Sequence, residues 1–193
     1  MNEEHLKLCS SAEWAETVQK WIIPWVLDGV ELGENVLEVG PGPGLTTDVL
    51  RRLVPRLTAV EVDPDLAAAL SQRLAGTNVA VIHADASDTS LPAGGFSGAI
   101  CLTMLHHVHS PELQDAVFAE VHRLLAPDAV FAGEDSLDSP ELRELHHDDT
   151  YVPMDPVRLP GRLADAGFSQ VEVSTNEHAV RFRAVRTSAR QVG

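Results

Sequence analysis

The chain is short of sulfur, aromatic rings and positive charge. Its 193 residues include two cysteines, one tyrosine, and 14 Lys plus Arg against 29 Asp plus Glu. Two cysteines, Cys9 and Cys101, without metal-type spacing exclude a disulfide scaffold or a cysteine-based metal finger. Cys101 lies in an apolar run and reads as an inert core thiol. A formal net charge of −15 repels phosphate backbones and anionic membranes, which argues against nucleic acid and membrane as partners. No apolar run approaches the ~18 residues of a membrane span, and the N-terminus lacks the basic-then-apolar layout of a signal peptide. A cytoplasmic protein is expected. Internal repeats and low-complexity segments are absent, and the length suits one domain over 1–193.

What the chain does carry is concentrated between Asn35 and Asp63. An apolar burst, Val36-Leu37-Glu38-Val39, stops at Gly40-Pro41-Gly42-Pro43-Gly44. Leu45, Val49 and Leu53 follow at helical spacing, and a second burst, Leu57 to Val62, ends in acid. Strand, glycine turn, helix and strand make half of a nucleotide-binding α/β unit. A right-handed crossover puts the turn at the carboxyl edge of a parallel sheet. Glycines let backbone approach a ligand closely and take positive φ, whereas the prolines remove two N–H donors. A dinucleotide site wants Gly-x-Gly-x-x-Gly; here Leu45 stands where the third glycine belongs. Glu38, just before the turn, opposes a pyrophosphate and suits a cationic amine. Glu61, about 20 residues past the turn, stands where a carboxylate accepts ribose hydroxyls. Amine, ribose and no phosphate describe S-adenosylmethionine (SAM) better than NAD.

Three segments, VLEVGPGPG at 36–44, AVEVDPDL at 59–66 and HADASDTSLP at 83–92, resemble the successive nucleoside-binding motifs of the class I SAM-dependent methyltransferases. The resemblance runs in register from about Asn35 to Phe168. It implies a Rossmann-like, doubly wound, seven-stranded and mostly parallel sheet with an antiparallel C-terminal strand and helices on both faces. It also implies that Asp85 accepts from the adenine amine, with the Ala86 N–H against the ring; a carboxylate only accepts, so it prefers an amine to a carbonyl. The expected cofactor set is Glu38, Gly40, Gly42, Gly44, Glu61, Val62, Asp85, Ala86 and Leu102.

Around that frame, residues 10–28 read as a helix capped at Ser10, with Trp14, Val18, Trp21 and Trp25 in an apolar stripe and Pro24 as its kink. In the resembled family such N-terminal helices form a lid, so residues 1–30 are assigned as a helical segment or lid. Asp65 to Leu74 forms a helix with Leu66, Leu70 and Leu74 inward, ended by Gly76. A strand over 98–104 leads to His106 and His107. Ser110 caps the next helix, and Asp128-Ala129 stands where the family often has Gly-Gly. A polar stretch, 137–156, reads as an insertion near the acceptor site. Two antiparallel strands, around 171–173 and 180–185, close the chain. Arg181, Arg183, Arg186 and Arg190 read as a solvated face rather than an anion site.

Methyl transfer from a sulfonium is an in-line displacement that asks for positioning and, with a hydroxyl or acid acceptor, for removal of a proton. Histidine suits the base role because its ordinary pKa lies near ~6.5. His106 and His107 are the candidate catalytic residues; they resemble a Leu-His-His segment of the family's small-molecule members. Glu134, Asp135, His146, His147, Asp148 and Asp149 offer a second possibility, a divalent metal. Adjacent residues rarely converge on one ion, and the spacing matches no strong pattern, so no metal is assigned and an acidic solvated loop is expected. Ribosomal-RNA adenine dimethyltransferases share the glycine turn, but carry an Asn-Pro-Pro-Tyr-like tetrad where this chain has Leu102-Thr103-Met104-Leu105. The expected function is therefore methyl transfer to a small-molecule acceptor, most simply at oxygen, with a homodimer as the candidate assembly. The alternatives are a non-catalytic SAM-binding module, an NAD-dependent oxidoreductase and an RNA methyltransferase.

Overall fold

The computed structural model describes residues 2–187. Seven strands form one sheet: β1 Asn35–Val39, β2 Arg56–Glu61, β3 Val79–His83, β4 Phe96–Leu102, β5 Leu125–Ser136, β6 Phe168–Thr175 and β7 Ala179–Arg186. Their order is β3-β2-β1-β4-β5-β7-β6, with β7 antiparallel to both neighbours and the other pairings parallel. This is the expected doubly wound sheet. The chain reverses direction of progress between β1 and β4, and ligands of such sheets sit outside the strand ends at that switch.

Both faces of the sheet are covered, and the strands read apolar at both parities accordingly. Leu37, Val39, Ala99, Cys101 and Phe131 pack on one side with Phe118, Val121, Leu163 and Phe182. Val36, Ile100, Leu57 and Ala132 pack on the other with Val18, Ile23, Val26 and Leu50. The first side is covered by α6 Pro111–Leu124 and α8 Leu159–Asp165, the second by the N-terminal helices and α4 Leu45–Leu50. The buried residues of α4 are Thr47 and Leu50, while Leu53 is exposed. The expected Leu45/Val49/Leu53 face is thus rotated by about one position, because the helix ends after six residues and Leu53 falls in the following turn. On α5 Pro64–Arg73, Leu70 is buried, as is Leu74 at its end, but Leu66 faces a cavity.

The N-terminal segment differs from a single kinked helix. It is split into α1 Glu3–Cys9, α2 Ala12–Thr17, a π-helical turn Val18–Ile22 and α3 Ile23–Val26. Ser11, not Ser10, accepts the Trp14 N–H and caps α2. Pro24 sits in the first turn of α3, and the π turn lies just before it, where the missing N–H and the ring disrupt i→i−4 bonding. Arg181 of β7 donates to the Trp25 carbonyl, and its guanidinium lies 5.2 Å from the Trp25 ring centroid. Arg183 pairs with Glu172 on β6. These two arginines are committed to internal partners, and Arg190 lies outside the described residues.

Asp128, within β5, takes φ +65°, a conformation that glycine adopts more readily than a residue with a side chain. Among the described residues, no helix is long and apolar enough to cross a membrane.

Candidate cofactor and acceptor site

β1, β2 and β4 deliver their C-terminal ends to one edge, and the turn after β1 is held against its neighbours. The Gly40 N–H donates to Val60 O at 2.9 Å. Gly40 has φ +67°, and a Cβ there would sit 2.1 Å from Met104 Cγ. Glycine is therefore demanded twice, by conformation and by the close approach of Met104, two residues past β4. Gly42, at φ +54°, has nothing within 4 Å of where a Cβ would stand: it opens onto free space.

That space is a cavity of about 520 Å³, within the range of small-molecule sites. Its wall includes Gly40, Gly42, Glu61, Val62, Asp85 and Ala86 from the expected cofactor set. Gly44, Glu38 and Leu102 are not part of that wall. Gly44 stands at the start of α4, Leu102 is buried, and Glu38 is buried on β1 with Oε1 accepting from the Thr46 hydroxyl.

The acidic groups differ in their surroundings. Glu61 is buried and accepts twice from backbone, from Gly42 N–H at 2.9 Å and Asp63 N–H at 3.0 Å. Asp85 Oδ1 accepts from the Ser87 N–H and hydroxyl, both at 2.8 Å. Glu38 Oε2 has no hydrogen-bond partner, and burial, opposed by the Thr46 and Thr47 hydroxyls, pushes its carboxyl up to about 7. The segment carrying Asp85 is anchored from below by Glu120 of α6, whose Oε1 accepts from Thr89 N–H and hydroxyl and from Arg123. Those bonds, Arg123 foremost, hold Glu120 down at about 2. Glu120 gave no sign of this in the sequence, where it reads as one polar helix residue among several.

The two candidate histidines both lie in the 3₁₀ turn Leu105–His107, which gives them different surroundings. His107 lines the cavity with Thr103, Met104, Asp149 and Thr150; His106 does not. His106 is buried, its Nδ1 2.5 Å from Asp135 Oδ1 and its backbone N–H donating to Asp135 Oδ2 at 3.1 Å. Burial, reinforced by the neighbouring imidazoles, lowers His107 to about 2. A conjugate acid that strong makes a weak proton acceptor near neutrality. The surroundings of the His107 ring thus favour a neutral imidazole.

The acidic group weighed as a metal set is scattered. His147 and Asp148 are exposed and pair with one another at 3.1 Å, while Glu134 and Asp135 are buried. His146 instead turns inward and meets His5, His106 and His107. Each of these four rings has a buried nitrogen without a hydrogen-bond partner, a condition that costs about 1–3 kcal/mol per group. His5 had no neighbour in the sequence to mark it; only folding brings α1 to this edge.

Residues 36–128 match the methyltransferase-domain family Methyltransf_25. Over that stretch, just under half of its length, the chain carries a methyltransferase domain of this family. Family members use SAM as methyl donor. The methyltransferase is similar to a SAM-dependent methyltransferase of Aquifex aeolicus, at TM-score 0.76 and 19% identity over 97% of this chain and 100% of that one. It also shares its fold with phosphoethanolamine N-methyltransferase 2 of Haemonchus contortus in complex with SAM, at TM-score 0.74 and 13% identity, covering 91% and 56% of the two chains. Among curated proteins it is 46% identical over 69 residues to ribosomal RNA small subunit methyltransferase A of Deinococcus radiodurans, which is 34% of this chain and 24% of that protein. It is 36% identical over 80 residues to an uncharacterised methyltransferase of Mycobacterium tuberculosis, 41% of each. The methyltransferase therefore spans well under half the length of the curated relatives it matches.

Proposed function

We propose that this methyltransferase moves the methyl group of SAM to a small-molecule acceptor, with oxygen as the attacking atom. The observation that carries the reading is one cavity whose wall holds Glu61 and Asp85 together with His107, Asp149 and Thr150. Donor pocket and acceptor space are continuous there, as a displacement along one line requires.

The chain's residues fit the donor. Each Glu61 oxygen takes one backbone N–H and keeps a lone pair for a ribose hydroxyl. Asp85 receives the exocyclic amine, and Ala86 and Val62 flank the base. The unpartnered Glu38 Oε2 is suited to a cationic amine. Gly42 leaves room where any side chain would intrude. Bound SAM supplies a methyl carried on a sulfonium. The protein's part is to align the acceptor, exclude water around it with Met104, Val108 and Leu113, and let the acceptor's proton leave towards solvent. His107 walls and orients the acceptor rather than working as a base.

A ribosomal-RNA substrate is the second reading, favoured by the similarity to small subunit methyltransferase A. The net charge of −15 opposes it. Calorimetry with S-adenosylhomocysteine and NADH tests the donor, and radiolabelled SAM offered with metabolite extract or ribosomal RNA tests the acceptor. Binding of S-adenosylhomocysteine alone and label in the small-molecule fraction are expected. NADH binding alone would overturn the donor reading. Label in RNA would establish the second reading, and binding without any turnover would mark a non-catalytic SAM-binding module.

A further inference from the structure

We propose that His5, His106, His107 and His146 bind one divalent transition-metal ion, zinc foremost, in a closed four-nitrogen site beside the cavity. One ring nitrogen from each of the four lies within 4.8 Å of the other three. Four nitrogens at 2.0–2.1 Å around zinc stand ~3.3 Å apart, so small side-chain rotations complete the sphere. The ring centres already match. Their separations run from 4.2 Å between His106 and His107 to 6.1 Å between His5 and His106, against ~5 Å for four imidazoles on a tetrahedral ion. The 3₁₀ turn is what lets two adjacent residues converge, where an extended segment would point them apart.

The second observation is independent of distance. His5 Nδ1, His106 Nε2, His107 Nε2 and His146 Nε2 are all buried without partners. Histidines packed merely as core residues would hydrogen-bond these atoms. Two of the rings are also held from behind as ligands usually are. His106 Nδ1 faces Asp135, and His146 Nδ1 lies 2.6 Å from the Leu142 carbonyl. A proton held on Nδ1 by an acceptor leaves the Nε2 lone pair for a metal. The Tyr151 ring stacks on His146 at 4.5 Å and fixes its plane.

The ligand set selects the ion. Four imidazoles and no carboxylate disfavour magnesium and calcium, which take oxygen, and suit zinc, copper, nickel or iron. Four protein ligands fill a tetrahedral sphere, which makes the site structural. It joins α1, the turn after β4 and the end of α7 Pro140–Leu145 at the cavity wall. Coordination also takes His106 and His107 out of proton transfer. None of this depends on which acceptor is methylated.

The test is metal analysis of the full chain purified without an affinity tag, followed by chelation and titration with zinc and with cobalt(II). About one equivalent per chain is expected, with the intense visible absorption of tetrahedral cobalt and a rise in melting temperature on zinc addition. His146→Gln should abolish stoichiometric uptake. Asp135→Asn, which keeps all four ligands, should weaken it ~10–100-fold, while His178→Ala should leave it unchanged. Circular dichroism and S-adenosylhomocysteine binding report folding in each sample. A chelated, folded native chain that takes up no stoichiometric zinc or cobalt overturns the proposal. So does uptake in folded His146→Gln equal to the native chain's.

Discussion

Replacing Glu38 with glutamine should make the ligand-free protein more stable in mild alkali while weakening its hold on cofactor. Glu38 is 3% exposed, one of its oxygens lacks a partner, and burial lifts its carboxyl from the ordinary 4.5 to about 7. A folded state that holds a proton more tightly than the unfolded chain is favoured at low pH. That contribution is whole below 4.5 and is lost as pH rises through 7. At 1.36 kcal/mol per pH unit, the difference amounts to ~3 kcal/mol between the two ends of the window. Glutamine stays neutral and can still accept from Thr46, so Glu38→Gln should exceed the native protein at pH 8 by up to ~3 kcal/mol and match it near pH 4.5. For a chain of this length that is roughly 6–12 °C in melting temperature. Melting curves of both proteins across pH 4.5–8 measure it, and their difference isolates Glu38 from other titrating groups. S-adenosylhomocysteine affinity should move the other way, falling ~10–100-fold with the loss of a charged acceptor. A variant that is less stable at pH 8, or that shifts equally at both ends, refutes the buried-acid argument; undiminished affinity refutes the amine assignment.

Glu61→Ala and Asp85→Ala should each weaken S-adenosylhomocysteine binding ~10–100-fold in calorimetry with an unchanged circular dichroism spectrum; unaltered affinity in both would remove the site assignment. Gly40→Ala should cost ~2 kcal/mol or more in chemical denaturation, since it adds left-handed strain to a collision with Met104. Met104→Ala in the same chain should return part of that loss. Glu120→Ala should cost about 1–3 kcal/mol and also weaken cofactor binding, because Thr89 and Arg123 lose the acceptor that anchors the Asp85 segment.

The nucleotide half was readable because its signals are local. Val36 to Glu61 alternates burst, turn and helix at spacings that admit one topology, and the glycines report a backbone requirement directly. Glu61 followed from its distance beyond that turn and Asp85 from the family resemblance, and both line the cavity. Glu38 and Leu102 were placed near the ligand by adjacency in sequence; both are buried and stand outside the cavity wall. Strand alternation decides that, and a strand buried on both faces hides its parity behind uniform apolarity. The helix inward face at Leu45–Leu50 was misread because its short length left too few turns to fix the phase. The histidine cluster was beyond reach. His5 and His146 are 141 positions apart, and no period links them; of the residues weighed and set aside as a metal set, His147 and Asp148 are exposed.

The clasp between Arg181 and Trp25 decides which N-terminal helices are held by the sheet. It ties α3 to the antiparallel end of the sheet, so α2 and α3 travel with the body of the protein. α1 is fastened elsewhere, through Asn2 to Leu145 and Asp149 and through His5 to the other imidazoles. The N-terminal segment is thus fastened on either side of Ser10–Ser11 to different parts of the molecule, α2 and α3 to the sheet and α1 to residues 145–149, so the two halves answer to different perturbations.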